Sequence, residues 1–282
     1  MQNKTCIITG ANTGIGKATA KGLAEMGAKV VMVCRSEERG KAAQEEIKQQ
    51  TGNENVDLLI GDLASFSSTR KLAAEINSGY EKIDVLINNA AVFYTDLTYS
   101  EDDIEMQFHV NHLGYFLLTN LLLDKIKASA SARIINVSSR GHLQGNIHFD
   151  DLNLKNGYDG LKAYSQAKLA NVLFTYELAK RLEETDVTAN CLHPGGIATN
   201  LALNNSKGSI YNFIWRIVYP FLSSHENGAK TSVHLASSDK VKGITGKYFS
   251  KCRPVRSSRR SHNKELAEKL WQLSEKMVGL EN

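Results

Sequence analysis

Seven short runs of β-branched and other apolar residues recur along the chain: Thr5–Thr9, Lys29–Cys34, Val56–Ile60, Asp84–Asn88, Arg133–Val137, Val187–Leu192 and Lys247–Ser250. Between and after them lie stretches of helical character near 15–26, 37–50, 65–78, 101–127, 161–184, 226–237 and 264–278. Strands that read as near-continuous apolar runs are covered on both faces, and such strands pair in parallel. Parallel strands need crossover helices of one hand, so the alternation predicts a doubly wound α/β fold. The expected architecture is a Rossmann-type domain with a mostly seven-stranded parallel sheet. With 3 Pro in 282 residues, no repeat and no linker, the whole of 1–282 is expected to be one domain.

One segment breaks the rhythm. About 196–225 has no strand of its own and carries Phe213, Trp215, Tyr219 and Phe221. An insertion of this length in a compact domain is usually functional, so a lid over an apolar substrate is expected. A core helix and peripheral contact with a bilayer are the alternatives.

Several function classes fall away. No basic leader followed by an apolar run opens the chain, and no apolar stretch reaches the ~18–20 residues of a spanning helix. The 4 Cys, at positions 6, 34, 191 and 252, form no C-x-x-C pair. A soluble, cytoplasmic protein is expected. The net charge of +4 comes from Lys251, Arg253, Arg256, Arg259, Arg260 and Lys264. No aromatic residue is interleaved with these cations, so they predict a solvated loop rather than a nucleic-acid surface. His109 and His112 lack completing ligands at metal spacing, so their role is expected to be structural and no metal is expected. No G-x-S-x-G element is present, which excludes a hydrolase elbow.

Directly after the first strand comes Thr9-Gly10-Ala11-Asn12-Thr13-Gly14-Ile15-Gly16, opening a helix. Glycines let the backbone turn tightly and let a pyrophosphate approach the helix N-terminus. Gly16-Lys17 is followed by Ala18, so this is not a Walker A loop. It predicts a dinucleotide site. The second strand ends in Cys34-Arg35, where an NAD site normally places an acid for the ribose 2′-hydroxyl. An arginine there pairs with a 2′-phosphate, so the expected cofactor is NADP(H).

Tyr164-Ser-Gln-Ala-Lys168 puts a phenol and an ammonium on one helix face at i, i+4. A neighbouring cation favours the phenolate, the change a proton-transferring tyrosine requires. With Thr9-Gly10-x-x-x-Gly14-x-Gly16, Asp62-Leu63, Asn88-Asn89-Ala90, Asn111, Ser139 and Pro194-Gly195, this motif resembles, in order and spacing, the short-chain dehydrogenase/reductases. The likeness runs over nearly the whole chain. It is strongest to the retinol dehydrogenase-like branch, through Cys34-Arg35, Val110-Asn111-His112-Leu113-Gly114, Lys168-Leu-Ala-Asn-Val-Leu-Phe174, the insertion His148–Asn153, His193-Pro194-Gly195 and Leu270-Trp271. Ala91 and Ala167 stand where the family often has Gly and Ser.

The resemblance implies interconversion of an apolar aldehyde or ketone and its alcohol. Tyr164 would be the general acid, and Lys168 would hold the nicotinamide ribose and lower the Tyr164 pKa. Ser139 would bond the substrate oxygen, and Asn111 would hold a proton-relaying water. Gly10, Asn12, Thr13, Gly14, Ile15 and Gly16 would hold the phosphates, with Arg35 at the 2′-phosphate. Asp62 and Leu63 would meet the adenine, Asn88 and Ala90 would support the cofactor from the fourth strand, and Pro194, Gly195 and Thr199 would line the nicotinamide pocket. His142, near Ser139, reads as a pocket-rim residue or a substrate contact. A non-catalytic NADPH sensor or scaffold and a protochlorophyllide reductase-like enzyme are the rival functions. The stretch 161–184, apolar on more than one face, predicts a homodimer through a twin helix.

Overall fold

A computed structural model describes residues 1–195 and 224–281. Eight strands form one sheet in the order β3-β2-β1-β4-β5-β6-β7-β8. They are β1 Thr5–Thr9, β2 Lys29–Cys34, β3 Val56–Ile60, β4 Val85–Asn88, β5 Arg133–Val137, β6 Thr188–Leu192, β7 Tyr248–Ser250 and β8 Arg253–Val255. Seven run parallel. The eighth, expected to be part of a solvated loop, instead turns back antiparallel on β7, pairing Tyr248 with Val255. The turn between them places Lys251 and Cys252 at φ 49° and 60°. Two non-glycine residues in the left-handed region give no hairpin signature, which is why the extra strand escapes a reading of sequence. The cations of this stretch remain exposed, as expected.

The strands are apolar throughout because both faces are covered. Helices α1 (Gly14–Glu25) and α2 (Glu37–Thr51) lie over one core with Ile8, Val30, Met32 and Ile135. Helices α3 (Phe66–Gly79), α5 (Gly114–Leu121) and α7 (Gly160–Arg181) lie over the other with Ile7, Val31, Leu86 and Ile134. Helix α8 (His225–Ser237) packs on α1, and α9 (Lys264–Val278) packs on the outer side of α7. The chain order reverses between β1 and β4, which opens a crevice at the carboxyl ends of the strands.

The stretch 101–127, expected as one helix, is broken into α4 (Met106–Phe108), a π-helical turn (His109–Leu113), α5 and α6 (Leu123–Lys127). Glu105 starts it by accepting the N–H of Phe108 at 2.6 Å. Inserted π turns recur at functional sites because they swing one residue out of helical register. Asn111 is at its centre.

Helix α7 is buried along most of its length, in part by the C-terminal helix of the same chain. Phe174 meets Phe116 and Trp271 with ring centroids 5.3 and 5.7 Å apart, and Arg181 lies 4.2 Å from the Trp271 centroid. The C-terminal helix of the same chain thus covers the Phe174 and Arg181 side of α7. Of the expected lid, only Ser224 and His225 fall within the described residues, where they cap and begin α8. Residues 196–223, including Thr199 and the four aromatic side chains, lie outside them. Among the described residues no helix is long and apolar enough to cross a membrane.

Candidate active site

The Gly10–Gly16 loop leaves β1 at the crevice. Gly10 and Gly14 have φ of 67° and 57°, conformations that only glycine adopts without strain. A Cβ on Gly10 would stand 2.8 Å from Ala90 Cα, and one on Gly16 would run into the Gly10 carbonyl. Thr9 Oγ1 accepts the N–H groups of Asn89 and Ala90 at 2.9 and 3.0 Å, while Asn89 Nδ2 donates to the Thr9 carbonyl at 2.9 Å. Asn89, named in the Asn88-Asn89-Ala90 motif but given no role there, is therefore the brace of the loop. Asn88 turns the other way. Fully buried, it donates to Thr119 Oγ1 and Asn136 Oδ1 at 2.9 and 2.8 Å, so its side chain ties β4 to β5 and α5 instead of facing the crevice.

Helices α2, α3, α7, α8 and α9 all begin with a side-chain cap, from Ser36, Ser65, Asp159, Ser224 and Asn263. Helix α1 has none, and no acid lies in its first turn. Its first turn follows Asn12 and Thr13 at the glycine loop. An open N-terminus under a glycine loop suits a pyrophosphate. At the end of β2, Cys34 is buried with its thiol pushed up to about 11 by burial, against the Ala11 backbone N–H that bonds it. Arg35 next to it is exposed, and Arg39 is near enough to act on the thiol. The place of the usual acid thus faces the glycine loop and is flanked by guanidinium groups. Asp62 Oδ1 accepts the Ala64 N–H at 2.9 Å, which holds its carboxylate in the turn after β3. The Leu63 side chain lies in the core, against Gly114, so only its backbone is placed for an adenine. These residues fit a nicotinamide dinucleotide.

Ser139, Tyr164, Lys168 and Asn111 converge past the ends of β4 and β5. The Ser139 hydroxyl accepts the Gly141 N–H at 3.1 Å as the cap of a 3₁₀ turn, Arg140–Leu143. Contrary to the lowering expected from Lys168, burial pushes the Tyr164 phenol above its ordinary value, and a hydrogen bond with Ser139 offsets part of that rise. Lys168 Nζ lies 5.6 Å from the Tyr164 ring centroid and donates to the Val137 carbonyl at 3.0 Å. It is 1 % exposed, and burial drives its ammonium down to about 7. Ser138 Oγ bonds the Lys168 carbonyl at 2.8 Å and so fastens α7 to the end of β5. Asn111 makes a double clasp: Oδ1 accepts the Val92 N–H at 2.8 Å and Nδ2 donates to the Val92 carbonyl at 3.0 Å. Phe93 then meets the Tyr164 ring edge-on, with centroids 5.8 Å apart. Tyr115 donates to the Ala90 carbonyl at 2.7 Å, so residues 90–93 join the glycine loop to the phenol. Pro194 and Gly195 follow β6, with Gly195 at φ 94°.

The histidines are structural. His109 and His112 are fully buried, held down to about 4 and 3 by desolvation, and bonded to Ser100 and Ser274. Among the described residues no group of side chains is placed to hold a metal. His142 is not on a pocket rim. It is 1 % exposed, beneath Ser139.

The comparisons with known proteins agree with this geometry. The family model described as short chain dehydrogenase matches residues 4–209. Mouse retinol dehydrogenase 14 is 44% identical over 291 residues, 99% of this chain and 87% of that protein. Human retinol dehydrogenase 13 is 45% identical over 282 residues, 99% of this chain and 85% of the other. A crystal structure of an uncharacterized protein from Mycobacterium Paratuberculosis superposes with a TM-score of 0.79 at 33% identity, covering 99% of this chain and 94% of that one. With a glycine loop, an uncapped α1 and a family model across most of its length, the chain belongs to the short-chain dehydrogenase family of oxidoreductases.

Proposed function

We propose that this protein is an NADPH-dependent reductase of apolar aldehydes and ketones, able to run in reverse on the alcohols. The observation that carries the proposal is the pairing of the half-buried Tyr164 side chain with the Ser139 hydroxyl, above a buried Lys168. A phenol raised by burial is protonated at neutral pH, which is the state a general acid needs. Tyr164 gives its proton to the carbonyl oxygen. The Ser139 hydroxyl, its lone pair engaged by Gly141, donates to the same oxygen as negative charge grows there. Lys168, near 7, exchanges a proton at neutral pH and restores Tyr164. Asn111, pinned on Val92, fixes the segment against which the phenol packs. The bound dinucleotide, when present, supplies the hydride.

The family binds nicotinamide cofactors, and the choice of NADP(H) rests on Arg35 beside the buried Cys34. Arg35→Ala should weaken NADPH about tenfold or more while leaving NADH unchanged, since a charge-assisted bond to phosphate contributes about 1.5–3 kcal/mol. Fluorescence titration with both cofactors checks this, and equal wild-type affinities would overturn the preference. The apolar substrate class is inferred from the retinol dehydrogenase relatives. Oxidation of NADPH in the presence of nonanal, all-trans-retinal and a steroid ketone tests it. No turnover with any of these would favour a cofactor-binding sensor, and turnover only under illumination would favour the protochlorophyllide-type reaction.

A further inference from the structure

His142 takes no part in the proposed proton transfer, yet it is bonded to the backbone of Ser139. The two share the 3₁₀ turn that follows β5. The imidazole Nδ1 lies 2.6 Å from the Ser139 carbonyl oxygen, and Nε2 lies 3.1 Å from the backbone nitrogen of Ser258. A backbone N–H can only donate, so Nε2 is the bare acceptor. The neutral ring carries its hydrogen on Nδ1, where it points at Ser139. Desolvation keeps His142 below its ordinary pKa, in agreement with the neutral form. From β7, the Tyr248 hydroxyl reaches the same carbonyl at 3.3 Å, and its ring lies against the imidazole with centroids 4.6 Å apart. The Ser139 carbonyl thus receives two donors, one from its own turn and one from the sheet. The C-terminal segment, through Ser258, holds the imidazole in place.

We propose that His142, supported by Tyr248 and anchored on Ser258, is the positioning residue for Ser139. The Nδ1–H bond fixes the rotation of the Ser139 peptide, and with it the direction in which the hydroxyl projects toward Tyr164 and the substrate oxygen. This rests on the role assigned to Ser139 above. It adds a residue that touches neither substrate nor cofactor and acts through an orientation. A misplacement on the order of 1 Å at a reacting group lowers turnover by up to about 10²-fold.

Three variants separate orientation from packing: His142→Asn places an amide donor near the Nδ1 position, whereas His142→Gln offers its acceptor to Ser258 and His142→Leu offers neither. With NADPH and nonanal, Leu and Gln should lower kcat about tenfold or more, Asn should stay within about threefold, and the Kd for NADPH should hold within about twofold. A purely structural role would make kcat follow the melting temperatures of the three proteins, and that result would overturn the proposal, as would an unchanged kcat in His142→Leu. Tyr248→Phe, which removes only the second donor, serves if the Leu protein fails to fold: a small fall in kcat supports the proposal and none counts against it. Nitrogen-15 NMR reads the tautomer without catalysis. A protonated Nδ1 with a bare Nε2 at neutral pH supports the assignment, and the opposite tautomer overturns it. Ser139→Ala and Tyr164→Phe, run beside these, keep the two readings apart. Retained activity in both would refute the proposed chemistry, and with it the positioning role, while the NMR result would still decide the tautomer of His142.

Discussion

Helices α1 and α7 stand on opposite faces of one sheet and end their first turns in opposite ways. Thr13 leaves the N-terminus of α1 without a side-chain bond, whereas Asp159 caps α7 by accepting the Lys162 N–H at 2.9 Å. Among the described residues, the first turn of helix α1 has no side-chain cap and no acid. Helix α7 satisfies its own end and is buried by the sheet on one side and α9 on the other. An open helix end has affinity for an anion, since its N–H groups gain partners when one arrives. A closed, buried helix has rigidity, because its side chains have nowhere to go. Under the proposed function, binding and chemistry are divided between these two helices, one uncapped and one capped and buried.

The division is broken most sharply at Tyr164. Replacement by Phe should lower kcat about 10³-fold while leaving NADPH affinity within about twofold, because the proposed mechanism places general acid catalysis on α7 alone. Steady-state rates and a binding titration measured on the same preparation check both halves. A loss of cofactor affinity as large as the loss of rate would show that the two helices do not divide the work.

Lys168 tests what burial on α7 costs. Its ammonium falls to about 7 in the folded, cofactor-free protein, against roughly 10.4 for an unperturbed lysine. Between those values the unfolded chain binds more protons, so stability should rise with pH across that window by about 1.4 kcal/mol per unit. Below 7 both forms are charged and the full burial cost is present. Lys168→Met should therefore be more stable than the wild type at pH 7 and below, with the gap closing toward pH 10, and should be inactive at every pH. Thermal melts across pH 6–10 would show parallel curves if the burial cost were absent.

The next effect falls on α1. Thr13→Asp supplies both a cap and a favourable charge for the helix dipole, so the cofactor-free protein should gain about 1 kcal/mol. The same carboxylate repels a pyrophosphate, and NADPH affinity should drop about tenfold or more. Stability gained with binding lost is the signature of an end kept open for a ligand. If affinity is unchanged, the pyrophosphate does not sit there.

The smallest effect is expected at Asp159. Removing the cap with Ala should cost about 1 kcal/mol of stability and change kcat/KM by less than about twofold, since four residues of helix separate the end from Tyr164. A melting curve and a rate measurement suffice. A larger kinetic loss would mean that the cap positions the phenol as well as securing the helix.

Much of this was legible in one dimension. Strands β1, β2, β3 and β5 begin and end where the apolar runs do, because a buried parallel strand must be apolar on both faces and the pattern stops where coverage stops. Ser139, Tyr164 and Lys168 were legible through motif and spacing, the last two because i, i+4 on a helix is a geometric statement. The direction of the Asn88 side chain is not legible in the sequence. A polar residue at a strand end faces either the crevice or the core, and only packing against Thr119 and Asn136 decides between them. The π turn at Asn111 was invisible for a related reason. Asn111 within it bonds Val92, a residue outside the stretch 101–127.

The sequence by itself determined the layered α/β architecture, the glycine loop and the chemical group on α7, all of which rest on local periodicity and local steric demand. Tertiary structure alone decided which helix ends stay open, which asparagine braces the loop, what covers the second face of α7, and how His142 reaches from Ser139 to Ser258. Those outcomes depend on residues distant in the chain meeting at one place. Hydrogen bonding and burial act on neighbours in space, and order along the chain constrains such neighbours only weakly.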